Sequence, residues 1–288
     1  MNLPPLSRRS LLAASAALVA PHAFAAPPLP FVADYESTTG GRVGFFMANA
    51  ASGRQLAWRA HERFAMCSTF KASLAALVLA RVDAGQDRLD RAVTYGPADI
   101  LDYAPVAKKH LADGSMTLEA MCEAAVELSD NTCANLLLRE VGGPHGLTQF
   151  WRRLGDRASR LDHNEPVLNR TKPGNPHDTT TPAAMAHSLS RLAIGDALSS
   201  RSRGRLVGWM VACQTGTRKL RAGLPKDWRA GDKTGGNGAD AAGDLAVAWT
   251  TGGSPIVVTA YVQGGKPTPA QQDELFATLG QLAAERLG

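Results

Sequence analysis

Ser68-Thr-Phe-Lys71-Ala-Ser-Leu-Ala-Ala-Leu-Val-Leu-Ala-Arg81 is the stretch from which the architecture is read. Apolar Phe70, Leu74, Leu77 and Val78 recur at i, i+4, i+7 and i+8, which predicts a helix with one buried face. Ser68 then falls in the first turn, where free backbone N–H groups and the helix dipole favour developing negative charge. Lys71, three residues on, can reach the Ser68 hydroxyl. A serine hydroxyl is a weak nucleophile until a neighbouring base activates it, so this pair fits covalent catalysis. On its own, Ser-x-x-Lys reads more readily as a solvated lysine on an ordinary helix.

Three further motifs follow. Ser129-Asp130-Asn131 lies between two helical patterns, one marked by Leu118, Met121, Cys122, Ala125 and Val126, the other by Ala134, Leu137, Leu138 and Val141. It reads as a turn with a helix cap, a geometry that can aim Ser129 and Asn131 into a cleft while Asp130 holds the backbone. Glu165-Pro166-Val167-Leu168-Asn169 adds a carboxylate and an amide. Lys233-Thr234-Gly235 follows Trp228-Arg-Ala-Gly-Asp and precedes Gly236-Asn237-Gly238, which predicts a strand running into a glycine-rich turn. Such a lysine and threonine suit a substrate carboxylate, and the glycines let backbone approach a ligand. By itself, Lys-Thr-Gly is equally a solvated loop.

In this order the four motifs resemble those of class A serine β-lactamases, over nearly all of the chain beyond residue 25. Ser-x-x-Lys alone arises about once by chance at this length, so the set carries the resemblance. It implies a two-lobed α/β fold: an antiparallel sheet built from both chain ends and flanked by helices, plus an all-helical lobe. It implies hydrolysis of the β-lactam amide through an acyl-Ser68 intermediate. Ser129 would relay a proton to the leaving nitrogen, and Asn131 would bind the substrate's acylamino side chain. Lys233, Thr234 and Gly235 would form the anion clamp, and the N–H groups of Ser68 and Gly236 the oxyanion hole. Glu165 would activate the deacylating water with help from Asn169; Lys71 and Glu165 both remain as acylation base. Tyr103 matches the aromatic that borders the family's pocket, and Lys219, with Arg221, is a weaker candidate for an extra cation. Small-molecule β-lactams would be the partners, with no cofactor or metal and a monomeric chain. A penicillin-binding carboxypeptidase and a non-hydrolytic β-lactam sensor share the other three motifs; Glu165 in its Glu-x-x-Leu-Asn context separates hydrolysis from both. Gly236, Asn237 and Gly238 leave the substrate spectrum open.

Residues 160–178 resemble the family's Ω loop, and here the sequence departs from the pattern. Relatives usually carry an arginine two residues before the glutamate, paired with the aspartate matching Asp178; this chain has His163. Arginine is bidentate and permanently charged whereas histidine titrates near neutral pH, so a more mobile and pH-sensitive loop is expected if the two pair. An unpartnered surface histidine is the alternative. Glu165-Pro166 is expected to be cis, as in the family. Some relatives bridge the Cys67 position to one just after Lys-Thr-Gly, here Asn237, and others bridge the Cys122 position to one held here by Ala75; neither bridge is available. Cys67 and Cys213 are expected as small buried hydrophobes. Four cysteines allow three full pairings, and a Cys122–Cys133 link is only a guess.

Residues 1–25 read as an export leader: Ser7-Arg8-Arg9, an apolar run to Ala20 too short to span a bilayer, and an Ala23-Phe24-Ala25 cleavage site. The twin arginines favour the Tat route over Sec, and the product is expected in the periplasm. No membrane anchor is expected, since no lipobox cysteine follows the run. Removing Arg8 and Arg9 takes the formal charge from +5 to +3, because residues 1–25 hold no acid. No basic patch with interleaved aromatics points to nucleic acid, and no phosphate loop, metal-ligand set or repeat appears. His61, His110, His145, His177 and His187 are scattered as surface residues. Arg42-Val-Gly-Phe-Phe-Met-Ala and Gln55-Leu-Ala-Trp-Arg predict a hairpin around Ala51-Ser52-Gly53. Strands are predicted over Leu245–Thr250 and Ile256–Val262. A final helix opens on the capping box Thr268-Pro269-Ala-Gln271 and buries Leu275, Phe276, Leu279, Leu282 and Ala283. The expected lobes are 26–62 with 213–288 (α/β), and 63–212 (helical, with the loop 160–178).

Overall fold

The computed structural model describes residues 29–172 and 174–288; the leader reading lies outside them. In chain order the strands are β1 Arg42–Asn49, β2 Gln55–Trp58, β3 Phe64–Ala65, β4 Ala92–Thr94, β5 Ser115–Thr117, β6 Thr179–Thr180, β7 Arg229–Gly236, β8 Ala241–Trp249 and β9 Pro255–Gln263. The helices are α1 Pro30–Thr39, α2 Phe70–Asp83, α3 Leu118–Glu127, α4 Asn131–Glu140, α5 Gly143–Arg153, α6 Pro182–Ala193, α7 Ser200–Val211, α8 Leu220–Gly223 and α9 Pro269–Leu287.

The main sheet runs β2-β1-β9-β8-β7, antiparallel throughout, so β1 from the start of the chain lies beside β9 from its end. Alternation along β1 sends Val43, Phe45 and Met47 to one face, where they meet Val32 of α1 and Phe276 and Leu279 of α9. From the opposite face Leu245, Val247, Val257 and Tyr261 join the core of the helical layer. Strands β8 and β9 begin earlier than the apolar runs predict. The cause is at Gly243, where a Cβ would lie 2.5 Å from the Tyr261 ring; the side-chain-poor Ala-Ala-Gly run is what lets this aromatic sit against the strand. The capping box of α9 forms at Thr268 and Gln271, and Leu282 is only partly buried.

Helix α2 departs from its predicted amphipathy. Every residue from Phe70 to Leu79 is buried. Ala72, Ser73, Ala75 and Ala76 make the second face thin enough for α3, α4, α5, α6 and α7 all to pack around it. Lys71 is thereby drawn into the interior, with no exposed surface. The short β3–β6 ladder pairs Phe64 with Thr180 and Ala65 with Thr179, tying the segment before Ser68 to the end of the loop 160–178. All four cysteines are free and buried, so the Cys122–Cys133 link does not form.

Because α9 is the helix that closes one face of the sheet, Phe276→Ala should cost about 3–5 kcal/mol, the usual penalty for emptying a buried aromatic site. Urea unfolding should show this as a lower midpoint with an unchanged slope.

Candidate active site

The turn that carries Ser68 is held by close backbone packing. Ser68 sits in a 3-10 turn, Cys67–Thr69, that leads into α2 at Phe70, slightly ahead of the predicted first helical turn. Cys67 before it has φ 43°, left-handed backbone that a non-glycine residue adopts only under constraint. Edge strand β7 lies against this turn. A Cβ on Gly235 would come within 2.7 Å of the Ser68 nitrogen and 2.8 Å of the Thr69 nitrogen, so only glycine fits.

Around Ser68 the polar groups converge. The Ser68 hydroxyl donates to Glu165 Oε1 at 2.8 Å, and the Lys71 ammonium lies 3.0 Å from the same oxygen. Glu165, and not Lys71, is thus the direct partner of the hydroxyl, which differs from the reach expected along the helix. Lys71 Nζ also donates to the Ser129 carbonyl at 2.8 Å and to Asn131 Oδ1 at 2.5 Å. Burial pushes the Lys71 amine below its ordinary value, and Glu165 opposes that shift. Lys233 Nζ donates to Ser129 Oγ at 3.1 Å and to the Thr234 carbonyl at 2.7 Å. Its amine is pushed down to about 8, chiefly by burial. Ser129 has φ 58°, and Asp130 fixes that turn: its carboxylate caps α4 through Cys133 N–H at 2.9 Å and accepts from Val106 and Ala107 N–H at 2.9 and 3.0 Å.

Glu165 is held from several sides. Asn169 Nδ2 donates to its Oε2 at 2.6 Å. Asn135, one turn past Asn131 on α4, clasps its backbone, donating to the carbonyl at 2.8 Å and accepting from the N–H at 2.9 Å. The Glu165-Pro166 bond is cis. His163 does pair with Asp178: Nδ1 and Oδ2 are 2.6 Å apart. The other Asp178 oxygen accepts from Asp162 and His163 N–H at 2.8 and 2.9 Å, so backbone and histidine share the clasp. 

A cleft of about 460 Å³ is lined by Ser68, Tyr103, Ser129, Asn131, Asn169, Thr234, Gly235, Gly236 and its neighbours Asn237 and Gly238. Tyr103 is 51% exposed on its rim, and its carbonyl accepts from Asn131 N–H at 3.0 Å. Lys219 is not brought there: its ammonium pairs with Asp273 at 3.0 Å and sits over the Phe276 ring. Arg221 likewise turns away, lying 3.1 Å from Asp232. Sequence reasoning missed Asn135 and also Thr215, whose hydroxyl meets that of Thr234 at 2.6 Å. The spacing of Asn135 from Asn131, one helical turn, was its only signal; Thr215 had none. Among the described residues no group of three or more His, Cys, Asp or Glu is arranged to hold a metal ion.

Comparison with known proteins agrees with this arrangement. The family model described as the β-lactamase enzyme family matches residues 31–287. The chain is 46% identical to β-lactamase L2 of Stenotrophomonas maltophilia over 254 residues, covering 88% of this chain and 84% of that protein. An ancestral class A β-lactamase structure (GNCA) superposes with a TM-score of 0.84 at 54% identity, covering 88% of this chain and 97% of that one. A β-lactamase from Xanthomonas campestris gives 0.86 at 44% identity, covering 90% and 96%. The chain belongs to the β-lactamase enzyme family and is one of its class A enzymes, which hydrolyse β-lactams.

Proposed function

We propose that hydrolysis proceeds through an acyl-enzyme on Ser68 and is completed by water activated at Glu165. The observation that carries this reading is the single carboxylate oxygen, Glu165 Oε1, that contacts both the Ser68 hydroxyl and the Lys71 ammonium. In acylation Ser68 Oγ bonds to the lactam carbonyl carbon as its proton passes to the Glu165–Lys71 pair. Collapse of the tetrahedral adduct breaks the C–N bond as Ser129 delivers a proton to the departing nitrogen. Ser129 is reprotonated by Lys71 Nζ, 3.4 Å away, which passes on the proton taken from Ser68 and leaves Glu165 ionised. Lys233 beside Ser129 Oγ, 3.1 Å away, supports that relay by favouring the hydroxyl's anionic side. Water then gives its proton to Glu165 and attacks the ester, and that proton passes to Ser68 Oγ as the ester bond breaks, releasing the ring-opened acid and free Ser68. The N–H groups of Ser68 and Gly236 would stabilise both oxyanions, each such donor being worth about 2.7–4 kcal/mol. Lys233, Thr234 and Thr215 would hold the substrate carboxylate, Asn131 its acylamino group, and Tyr103 would border the opening.

We infer penicillins and cephalosporins as substrates, since both carry the carboxylate that Lys233, Thr234 and Thr215 would hold. We further infer an exported, periplasmic, monomeric protein with a twin-arginine leader and the two lobes given above. No helix among the described residues is long and apolar enough to cross a membrane.

Nitrocefin separates the readings. Steady turnover is expected, whereas one equivalent consumed without turnover would indicate a sensor or a carboxypeptidase. Glu165→Gln should lower kcat by about 10²–10⁴ and let acyl-enzyme accumulate, visible by intact-protein mass; unaltered hydrolysis would refute the assignment of the base.

As pH rises through about 8 Lys233 loses its proton. KM for a carboxylate-bearing β-lactam should therefore climb above that pH, by about 10–100-fold if one charge-assisted hydrogen bond is lost. Lys233→Arg, which does not titrate there, should move the rise to higher pH.

Asn135→Ala should free the Glu165 backbone. The expected outcome is faster amide exchange over 164–170 with a lower deacylation rate and a nearly unchanged acylation rate.

A further inference from the structure

Directly behind the anion clamp lie two carboxylates the reaction does not use. Asp232 and Asp244 have no exposed surface. In the β7–β8 ladder Asp232 is opposite Ala246 and Asp244 is opposite Thr234, so the two acids are diagonal neighbours on one face. Three of their four oxygens, both of Asp232 and Oδ1 of Asp244, accept no hydrogen bond; the fourth takes Leu220 N–H at 3.1 Å. Among the described residues one cation, Arg221, lies within ion-pair distance of them. Arg221 Nε is 3.1 Å from Asp232 Oδ1 but makes no hydrogen bond, and its terminal nitrogens donate to the carbonyls of Val211 and Cys213.

The other charged and titratable groups around the pair are engaged elsewhere. Lys219 is on Asp273, Lys233 is turned to Ser129, and Cys213 Sγ contacts the Thr215 hydroxyl at 3.3 Å. Two buried carboxylates side by side, with one cation and one N–H between them, are not both ionised, because each penalises the charge of the other and neither is solvated. A proton on one acid removes the repulsion and supplies the donor the orphaned oxygens lack.

We propose that Asp232 and Asp244 hold one proton between them, carried mainly by Asp244, and that this pair with Arg221 is a positioning device for the Thr215–Thr234 half of the anion clamp. The link to the clamp is covalent and short. Arg221 grips the carbonyls at 211 and 213 while adjoining Asp232 of β7, and Gly216 lies so close to Asp232 that any Cβ there would overlap the carboxylate. Residues 213–216 are thereby pressed onto β7, which is where Thr215 Oγ1 meets Thr234 Oγ1 at 2.6 Å. A doubly ionised pair would push this segment off the strand. Burial and the neighbouring acid both hold the Asp244 carboxyl above its ordinary range, in keeping with this arrangement. An acid whose proton is retained in the folded state beyond its unfolded value stabilises the fold at low pH and loses that contribution as pH rises.

The role in the clamp rests on the function proposed above, but the proton can be detected without substrate. Infrared difference spectra of the wild-type protein and Asp244→Asn at pH 7 should show an un-ionised carboxylic acid band that the variant lacks. Asn at 244 keeps the shape and a donor, so kcat/KM should stay within about threefold of wild type and the melting temperature should fall less at alkaline pH. Asp232→Asn, which strips Arg221 of its ion-pair partner, should raise KM about tenfold or more with a smaller change in kcat, as expected when a buried charge pair that holds residues 213–216 on β7 is broken. A missing acid band in the wild type, a band that persists in Asp244→Asn, or a collapse of kcat/KM in that variant would overturn the proposal. A wild-type protein that shows the band yet does not turn over nitrocefin would instead sink the reading of function.

Discussion

The burial of Lys71 against Glu165 is the constraint around which the rest of the site is arranged. Both side chains are fully withdrawn from water, with the ammonium 3.0 Å from the carboxylate. Such a pair loses several kcal/mol per ion in hydration, and its Coulombic attraction offsets that loss only when the remaining donors and acceptors are satisfied. Each neighbour in the site supplies one of those contacts. The Ser129 carbonyl and Asn131 Oδ1 accept hydrogen bonds from Lys71; Ser68 and Asn169 donate to Glu165. The Ser68 hydroxyl, the proposed nucleophile, is therefore also part of the solvation shell of a buried charge. In the proposed mechanism acylation would remove that donor from Glu165 and leave the carboxylate a vacant lone pair for an attacking water.

Holding a carboxylate on a loop at this depth requires fixing backbone as well as side chain. Asn135 does so from α4, in a two-point clasp that copies the pattern of a strand pair. Farther along the loop Asp178, at φ 56°, draws the two limbs together through Asp162 and His163. Replacing the family's usual arginine by His163 removes a bidentate partner but leaves the two N–H contacts to Asp178 intact. The loop thus keeps its backbone closure while the permanently charged element is gone.

What was legible in the sequence follows from what is local. Turn, cap and strand signals act over a few residues, so the Ser129-Asp130-Asn131 turn, the Thr268 capping box and the strand through Lys233 could be read directly. The hairpin was legible too, though β2 stops at Trp58 because Arg59 turns into left-handed backbone. The full burial of α2 was not, since it depends on five other helices packing onto alanines that look neutral in a helical pattern. Lys219 was misplaced for a related reason: Asp273, which captures it, lies 54 positions away, a separation at which no residue pattern reports contact. Thr215 and Asn135 likewise owe their roles to tertiary neighbours.

Strand β7 and helix α2 each bring one buried lysine to the site, in different surroundings. Alternation sends Lys233 to the face of Ser129 and sends Asp232 and Thr234 to the other, beneath residues 213–221. Among the described residues no carboxylate lies within ion-pair distance of Lys233, so its charge remains free for an anion entering the cleft. Lys71 instead has its charge matched by Glu165, which suits the proton transfer proposed for it. Shifting β7 by one position would turn Asp232 toward Ser129 in place of Lys233 and put a buried cation against Arg221. The register is pinned by Gly235, which alone can lie against the Ser68 nitrogen, and by Gly216, which alone can lie over Asp232. The two glycines therefore fix not only the shape of the cleft but the sign of the charge that lines it.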